Sequence, residues 1–277
     1  MSGSLTSRRV AGIDLLVRGG AADQTVLLLH GIGGRASSFA QIMKRWPAGP
    51  RLLAWDQPGY GNSKPHPAAW PKARDYAASL DDVRSALGLT TFDLIGQSLG
   101  ALIATAYARQ YSKHVRRLVL MSPAHGYGIP RNGVLPATLT NRIRDFDNEG
   151  AAAFAAKRAP RLIHGAERKP DVVSAVRAAM ATLSNLGHTQ AVRLLGSGTL
   201  LEDAVRLPHE IHLISGAHDL ITPIEGTSRL HEALNARFGF DARLGKLQLV
   251  SDAGHAVYLE APDEVVDSMT AFLEAPS

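Results

Sequence analysis

Five residues, Gly96-Gln97-Ser98-Leu99-Gly100, constrain this chain more than any other stretch. The apolar run Phe92-Asp93-Leu94-Ile95 leads into them, and the alanine-rich run Ala101-Leu102-Ile103-Ala104-Thr105-Ala106-Tyr107 leads out. That pattern reads as a strand, a tight turn and a helix. A serine at such a turn sits on strained backbone with its hydroxyl pushed into the open. Glycines two before and two after it keep side chains out of the bend. The helix start behind it offers free N–H groups and a partial positive charge. Attack on a carbonyl carbon by a hydroxyl needs all three features.

A serine hydroxyl also needs a base to take its proton and a group to orient that base. In chain order after Ser98, the candidates are Asp219 and His255. Asp219 follows the strand-like run Ile211-His212-Leu213-Ile214-Ser215. His255 follows Leu247-Gln248-Leu249-Val250, another short β run that stops at a loop. In a parallel sheet the loops after the strands gather at one edge, so three polar groups far apart in sequence can meet. Each residue also has a plainer reading. Ser98 could cap a helix, Asp219 could cap the turn before Pro223, and His255 could be a structural loop histidine. Asp252 and Glu225 are rival acids. Asp252 lies too near His255 in sequence to occupy a separate loop, and Glu225 is placed in the first turn of the next helix. His218 precedes the acid and is expected at the surface.

Two further loops bear on the site. His30-Gly31-Ile32-Gly33-Gly34 follows the run Val26-Leu27-Leu28-Leu29, and Asp56-Gln57-Pro58-Gly59-Tyr60-Gly61 follows Leu52-Leu53-Ala54-Trp55. With these loops and the order Ser…Asp…His, the chain resembles the α/β-hydrolase superfamily over nearly its whole length. The resemblance implies an α/β fold: a mostly parallel eight-stranded sheet with helices on both faces and an all-helical lid inserted after the sixth strand. It implies a catalytic triad of Ser98, Asp219 and His255. It assigns the oxyanion-hole amides to Ile32 and Leu99, each such donor being worth roughly 3–4 kcal/mol. His30, Gly31, Gly33 and Gln97 are expected to support these loops, and His30 to shape the oxyanion loop.

The coarse reading along the chain agrees. Val10–Val17, Thr25–Leu29, Arg51–Trp55, Phe92–Gly96 and Val115–Met121 read as strands, with helices over Ser37–Trp46, Arg74–Leu87 and Leu99–Gln110. From Pro123 to about Gly198 the strand signal disappears. Helical stretches remain over Leu135–Phe146, Gly150–Ala159, Asp171–Leu186 and Thr189–Leu195. Alternation resumes with strands Ile211–Ser215 and Lys246–Val250 and helices Gly226–Phe238 and Pro262–Leu273. Residues 1–122 and 199–277 are therefore expected to form the core, and 123–198 the lid.

Charge separates the two parts. Residues 123–198 hold ten Lys/Arg and five Asp/Glu, which accounts for the whole net charge of +5. A solvated helical surface explains such a count; so does attraction of a small-molecule, carboxylate-bearing substrate. The cations are spread along helices with few aromatics, so nucleic acid is not expected as a partner. There is no cysteine, which excludes disulfides and thiol catalysis. No apolar run approaches the ~18–20 residues that span a bilayer, and the polar start Met1 to Arg9 lacks a signal-peptide core. A cytoplasmic protein with no membrane partner is expected. No metal-spaced cluster appears, and Gly31-Ile32-Gly33-Gly34 lacks the dinucleotide spacing and its acid, so no cofactor or metal is expected.

The leading expectation is a serine hydrolase that cleaves a small carboxylic ester, lactone or thioester through an acyl-serine. An alternative keeps the triad and cleaves a carbon–carbon bond, as the meta-cleavage-product hydrolases do. Their turn usually has Asn before the serine and two glycines after Leu or Met, where this chain has Gln97 and Gly100-Ala101. A third reading is a non-hydrolytic receptor or lyase on the same fold. Among the lid residues, Arg142, Phe146, Phe154, Arg158, Met180 and Leu194 are candidates to face the substrate.

Overall fold

The central strand β5 (Phe92–Gln97) has all six residues buried. A strand covered on both faces reads as a continuous apolar run, which is why the elbow's approach shows no alternation. The computed structural model describes residues 4–238 and 245–275; Met1 to Gly3, which open the polar N-terminal stretch, lie outside them. β5 sits among β1 (Leu5–Val10), β2 (Ile13–Arg18), β3 (Ala21–Leu29), β4 (Pro50–Trp55), β6 (Val115–Met121), β7 (Ile211–Gly216) and β8 (Gly245–Val250). The order in the eight-stranded sheet is β1-β2-β4-β3-β5-β6-β7-β8. β1 pairs with β2, and β2 with β4, in antiparallel fashion. Every later pairing is parallel.

The expected single strand over Val10–Val17 is in fact a hairpin. Val10 pairs with Ile13, and the turn between them has positive φ at Ala11 (50°) and Gly12 (80°). A two-residue turn with both φ values positive matches the twist of the flanking strands. Alanine rarely adopts that conformation, so Ala11-Gly12 gives little turn signal in the sequence.

α1 (Ala40–Arg45) packs with α10 (Pro262–Leu273), and α2 (Ala73–Ala86) packs with α3 (Leu99–Gln110). Between β6 and β7 the described residues form helices and no strand: α4 (Ala137–Arg158), α5 (Pro170–Met180), α6 (Asn185–Ser197) and α7 (Leu200–Ala204). The two helices expected over Leu135–Phe146 and Gly150–Ala159 are halves of α4, broken at Gly150 (φ 75°, ψ 164°). α5 stops at Met180 rather than Leu186. A new helix starts behind Ser184, whose hydroxyl accepts the Gly187 N–H at 3.0 Å. α8 (Ile224–Phe238) and the one-turn α9 (Val257–Glu260) complete the chain.

The sheet order reverses between β3 and β5, which lead to neighbours on opposite sides. Leu29 and Gly96 pair at the carboxyl ends of these two strands. Such a switch point opens a crevice where the following loops diverge. The loop beginning at His30 and the turn at Ser98 flank that crevice.

Candidate active site

The Ser98 turn is built by sterics before any chemistry. Ser98 has φ 53° and ψ −114°, a conformation disfavoured for a residue with a side chain. A Cβ on Gly100 would lie 2.1 Å from the Leu29 carbonyl oxygen, and one on Gly96 would lie 2.4 Å from the Gly100 oxygen. Strand, loop and helix touch there through bare backbone. The Ser98 N–H donates to Met121 O at 2.9 Å, while Ser98 O accepts from Ala101 N at 3.0 Å and Ala124 N at 3.2 Å. Its backbone is thus held by β6 and the residues beyond it. Leu99 opens α3, so its amide has no acceptor within the helix.

Asp219 and His255 meet as expected. The His255 Nδ1–H donates to Asp219 Oδ2 at 2.8 Å, and both side chains are almost fully shielded from solvent. The carboxylate's other oxygen accepts the backbone N–H groups of Ile221 (2.8 Å) and Thr222 (2.9 Å). The Thr222 hydroxyl lies 2.8 Å from Oδ2 and 3.1 Å from Ser122 O, and its single proton can serve either. Burial alone would raise the Asp219 carboxyl, but the His255 ring and the Thr222 donors outweigh it and hold the group below the ordinary carboxylate range. With the proton on Nδ1, the Nε2 of His255 is an acceptor. Ser98, Ile32, Leu99 and His255 line one cavity of about 660 Å³.

Gln97 ties the separate loops together. Its Oε1 accepts the Gly31 N–H at 3.1 Å, which turns its amide nitrogen toward His255, 3.4 Å from both Nε2 and the backbone oxygen. His30 is buried; its Nδ1 lies 2.8 Å from Gly31 O and its Nε2 accepts the Gln57 N–H at 3.1 Å. Burial lowers the His30 pKa and favours the neutral ring. The Asp56 loop braces this arrangement, with Asp56 Oδ1 accepting the Ala36 N–H at 2.7 Å. Gly33 lies against Met180 of α5, close to where that helix ends.

The rival acids fall away from the ring. Asp252 is largely exposed and pairs with Lys169 (3.3 Å) and Arg168 (3.5 Å). Glu225 is exposed in the first turn of α8, although it edges the cavity. His218 is exposed and stacks on His164, ring centroids 3.7 Å apart.

Of the six lid candidates, Arg142, Arg158 and Met180 line the cavity. Phe146 and Phe154 instead enclose the buried His188, at centroid distances of 4.2 and 5.1 Å. Leu194 is fully buried, and its neighbour Leu195 takes the lining position.

Two contributors were not anticipated. One is Thr222. The other is Glu260, whose Oε1 accepts the Gly254 N–H (2.9 Å) and whose Oε2 accepts the His164 N–H (2.9 Å) and contacts Lys169 Nζ (3.2 Å). Thr222 carries a weak signal, since it lies three residues after the acid and just before Pro223. Nothing in the sequence links Glu260 to residue 164.

Residues 24–262 match the family described as alpha/beta hydrolase fold, and the chain belongs to it. Over 260 residues it is 25% identical to a pimeloyl-[acyl-carrier protein] methyl ester esterase of Neisseria meningitidis, covering 91% of this chain and 94% of that protein. Over 276 residues it is 24% identical to the 2-hydroxy-6-oxo-2,4-heptadienoate hydrolase of Pseudomonas putida, covering 95% and 94%. The solved enol-lactonase of Burkholderia xenovorans superposes with a TM-score of 0.81 at 21% identity, over 98% of this chain and all of that one (100%). The fold thus defines an α/β-fold hydrolase. Among the described residues, no helix is long and apolar enough to cross a membrane.

Proposed function

We propose that the chain hydrolyses a small carboxylic ester, lactone or thioester through an acyl-serine intermediate. The observation that carries this reading is the 2.8 Å hydrogen bond between Asp219 and His255, whose ring lines the same cavity as a serine on strained backbone. In this reading Ser98 Oγ attacks the carbonyl carbon as His255 Nε2 takes its proton. Asp219 holds the ring tautomer and stabilises the imidazolium that forms. The amides of Ile32 and Leu99 receive the oxyanion. His255 then protonates the leaving group, and water, activated by the same nitrogen, releases the acid. In this reading the helices of residues 123–198 act as the lid, which fits Arg142, Arg158 and Met180 lining the same cavity as Ser98. The esterase and enol-lactonase likenesses support the same bond class.

A fluorophosphonate probe is expected to label Ser98. Ser98→Ala is expected to abolish labelling and to lower ester turnover by about 10⁴–10⁶-fold, the scale of other triads. Turnover that survives the substitution overturns the mechanism. A protein that takes up no label points to a receptor or lyase.

The likeness to the Pseudomonas putida hydrolase favours a second reading, carbon–carbon cleavage of a dienoate by the same three residues. Ring-fission products would then lose their visible absorbance on addition of the protein. Gln97 and Ala101 at the turn favour the ester reading.

A further inference from the structure

α4 carries two arginines, Arg142 and Arg158, sixteen positions apart. Along a straight helix that spacing is about 24 Å, too far for both to reach one small ligand. Gly150, with φ 75°, breaks the helix between them. As a result both side chains line the cavity that contains Ser98, and each guanidinium depresses the basicity of the buried His188.

Neither cation is neutralised. Among the described residues, no carboxylate lies within 4.0 Å of either guanidinium. Asp145, whose charge reaches Arg158, pairs instead with Arg144 at 3.4 Å. The Nε atoms of both arginines are buried and have no hydrogen-bond partner. The Arg158 guanidinium rests over the Phe154 ring, 5.2 Å from its centroid, which orients it without neutralising it. Burial, and next the Arg158 charge, pull Arg142 down to about 9, so it remains a cation at neutral pH. Two half-buried like charges whose Nε donors have no partner are costly, and an incoming carboxylate offsets both the repulsion and the unmet hydrogen bonds. Arg161 and Arg229 edge the same cavity and add to its positive potential.

We propose that Arg142 and Arg158 form a carboxylate-binding subsite in the cavity that Ser98 also lines, so that the substrate is an ester carrying a free carboxylate at the end remote from the scissile bond. This rests on the hydrolase reading for its chemistry, but the subsite itself is testable without turnover. A half-ester of a straight-chain dicarboxylic acid has the required pattern, with a neutral carbonyl at the serine and an anion at the lid. The corresponding diester is its uncharged counterpart.

The monomethyl and dimethyl esters of the diacids from succinic to suberic acid provide the test. The wild-type protein is expected to show a higher kcat/KM for the monoester, by tenfold or more at the chain length that spans the cavity. Arg142→Met and Arg158→Met are each expected to lower the monoester-to-diester ratio by about 10- to 100-fold, the effect of removing a charge-assisted hydrogen bond. Arg142→Lys is expected to restore part of that loss. A ratio near one at every length, or an equal loss for both esters in the variants, overturns the subsite.

Independently, calorimetry on the Ser98→Ala protein with glutarate, adipate and pimelate is expected to show binding that weakens 10- to 100-fold when Arg158→Met is added, with the thermal transition retained. If none of the three diacids binds, the subsite is wrong whatever Ser98 does. If they bind while Ser98 takes up no fluorophosphonate, the subsite stands and the hydrolase reading falls.

Discussion

Asp219 shows how much a single residue's surroundings decide. Asp219 is buried, and an isolated buried carboxylate would give up its charge. It keeps the charge because two backbone N–H groups, the His255 ring and the Thr222 hydroxyl surround it. Thr222→Val keeps the shape and both backbone donors but removes the hydroxyl. A hydrogen bond to a charged group contributes about 1.5–3 kcal/mol. The variant is therefore expected to lose roughly tenfold or more in kcat/KM for p-nitrophenyl acetate, with the fold intact by circular dichroism. Unchanged kinetics would mean that the hydroxyl only shapes the turn. Ser98, Asp219 and His255 were legible because each follows a strand end and their order matches a known chemistry. Thr222 was obscured because a threonine before a proline is common in turns.

At the scale of elements, the histidine loop is not held by its own strand. Glu260 in α9 accepts the Gly254 N–H on one oxygen and the His164 N–H on the other. One carboxylate with a fully buried side chain thus joins the loop bearing His255 to the helical segment above it. Glu260→Ala leaves two part-buried N–H groups without this acceptor and Lys169 without this partner. The expected cost is about 1–3 kcal/mol per unsatisfied group, with a fall in Tm of several degrees and a parallel loss of turnover. A Tm equal to wild type in differential scanning calorimetry would show that water replaces the carboxylate at no cost. Element type followed from periodicity almost everywhere: β6 and α10 match their expected limits residue for residue. The failures have local causes. Ala11-Gly12 makes a hairpin from an uncommon alanine conformation, and an apolar pattern running on past Met180 hid the end of α5.

Across the whole molecule, acid sensitivity follows from histidines that the fold keeps neutral. Burial, with the charges of Arg142 and Arg158, lowers His188 to about 3, and burial lowers His212 to about 4. Unfolded, each titrates near 6.5. Between pH 6.5 and 4 the unfolded chain therefore binds more protons at these two positions, and their contribution to stability falls as pH falls. Asp93 acts in the opposite direction. Burial lifts its carboxyl to about 6 against the pull of Arg116 and Arg117, so the folded state takes up its proton first. A variant comparison separates the terms. His188→Leu is expected to reduce the drop in Tm between pH 7 and pH 4.5 by about 4 °C, equivalent to about 2 kcal/mol. An identical drop in both proteins would show that His188 does not titrate across folding. This burial was not readable in advance, since eleven histidines in the sequence look alike until packing sorts them.

The sequence by itself determined most of the alternation of strands and helices, the elbow at Ser98 and the pair Asp219 and His255, whose side chains share a hydrogen bond. All of these depend on local signals: apolar periodicity, glycines where no Cβ fits, and polar residues at strand ends. The tertiary structure alone decided which side chains of residues 123–198 line the cavity, because a kink at Gly150 reorients half a helix and brings together two arginines sixteen positions apart. It also decided which acid faces the ring. Asp219 and Asp252 both stand near strand ends, and only packing shows that one is shielded and fully bonded while the other is paired with surface cations.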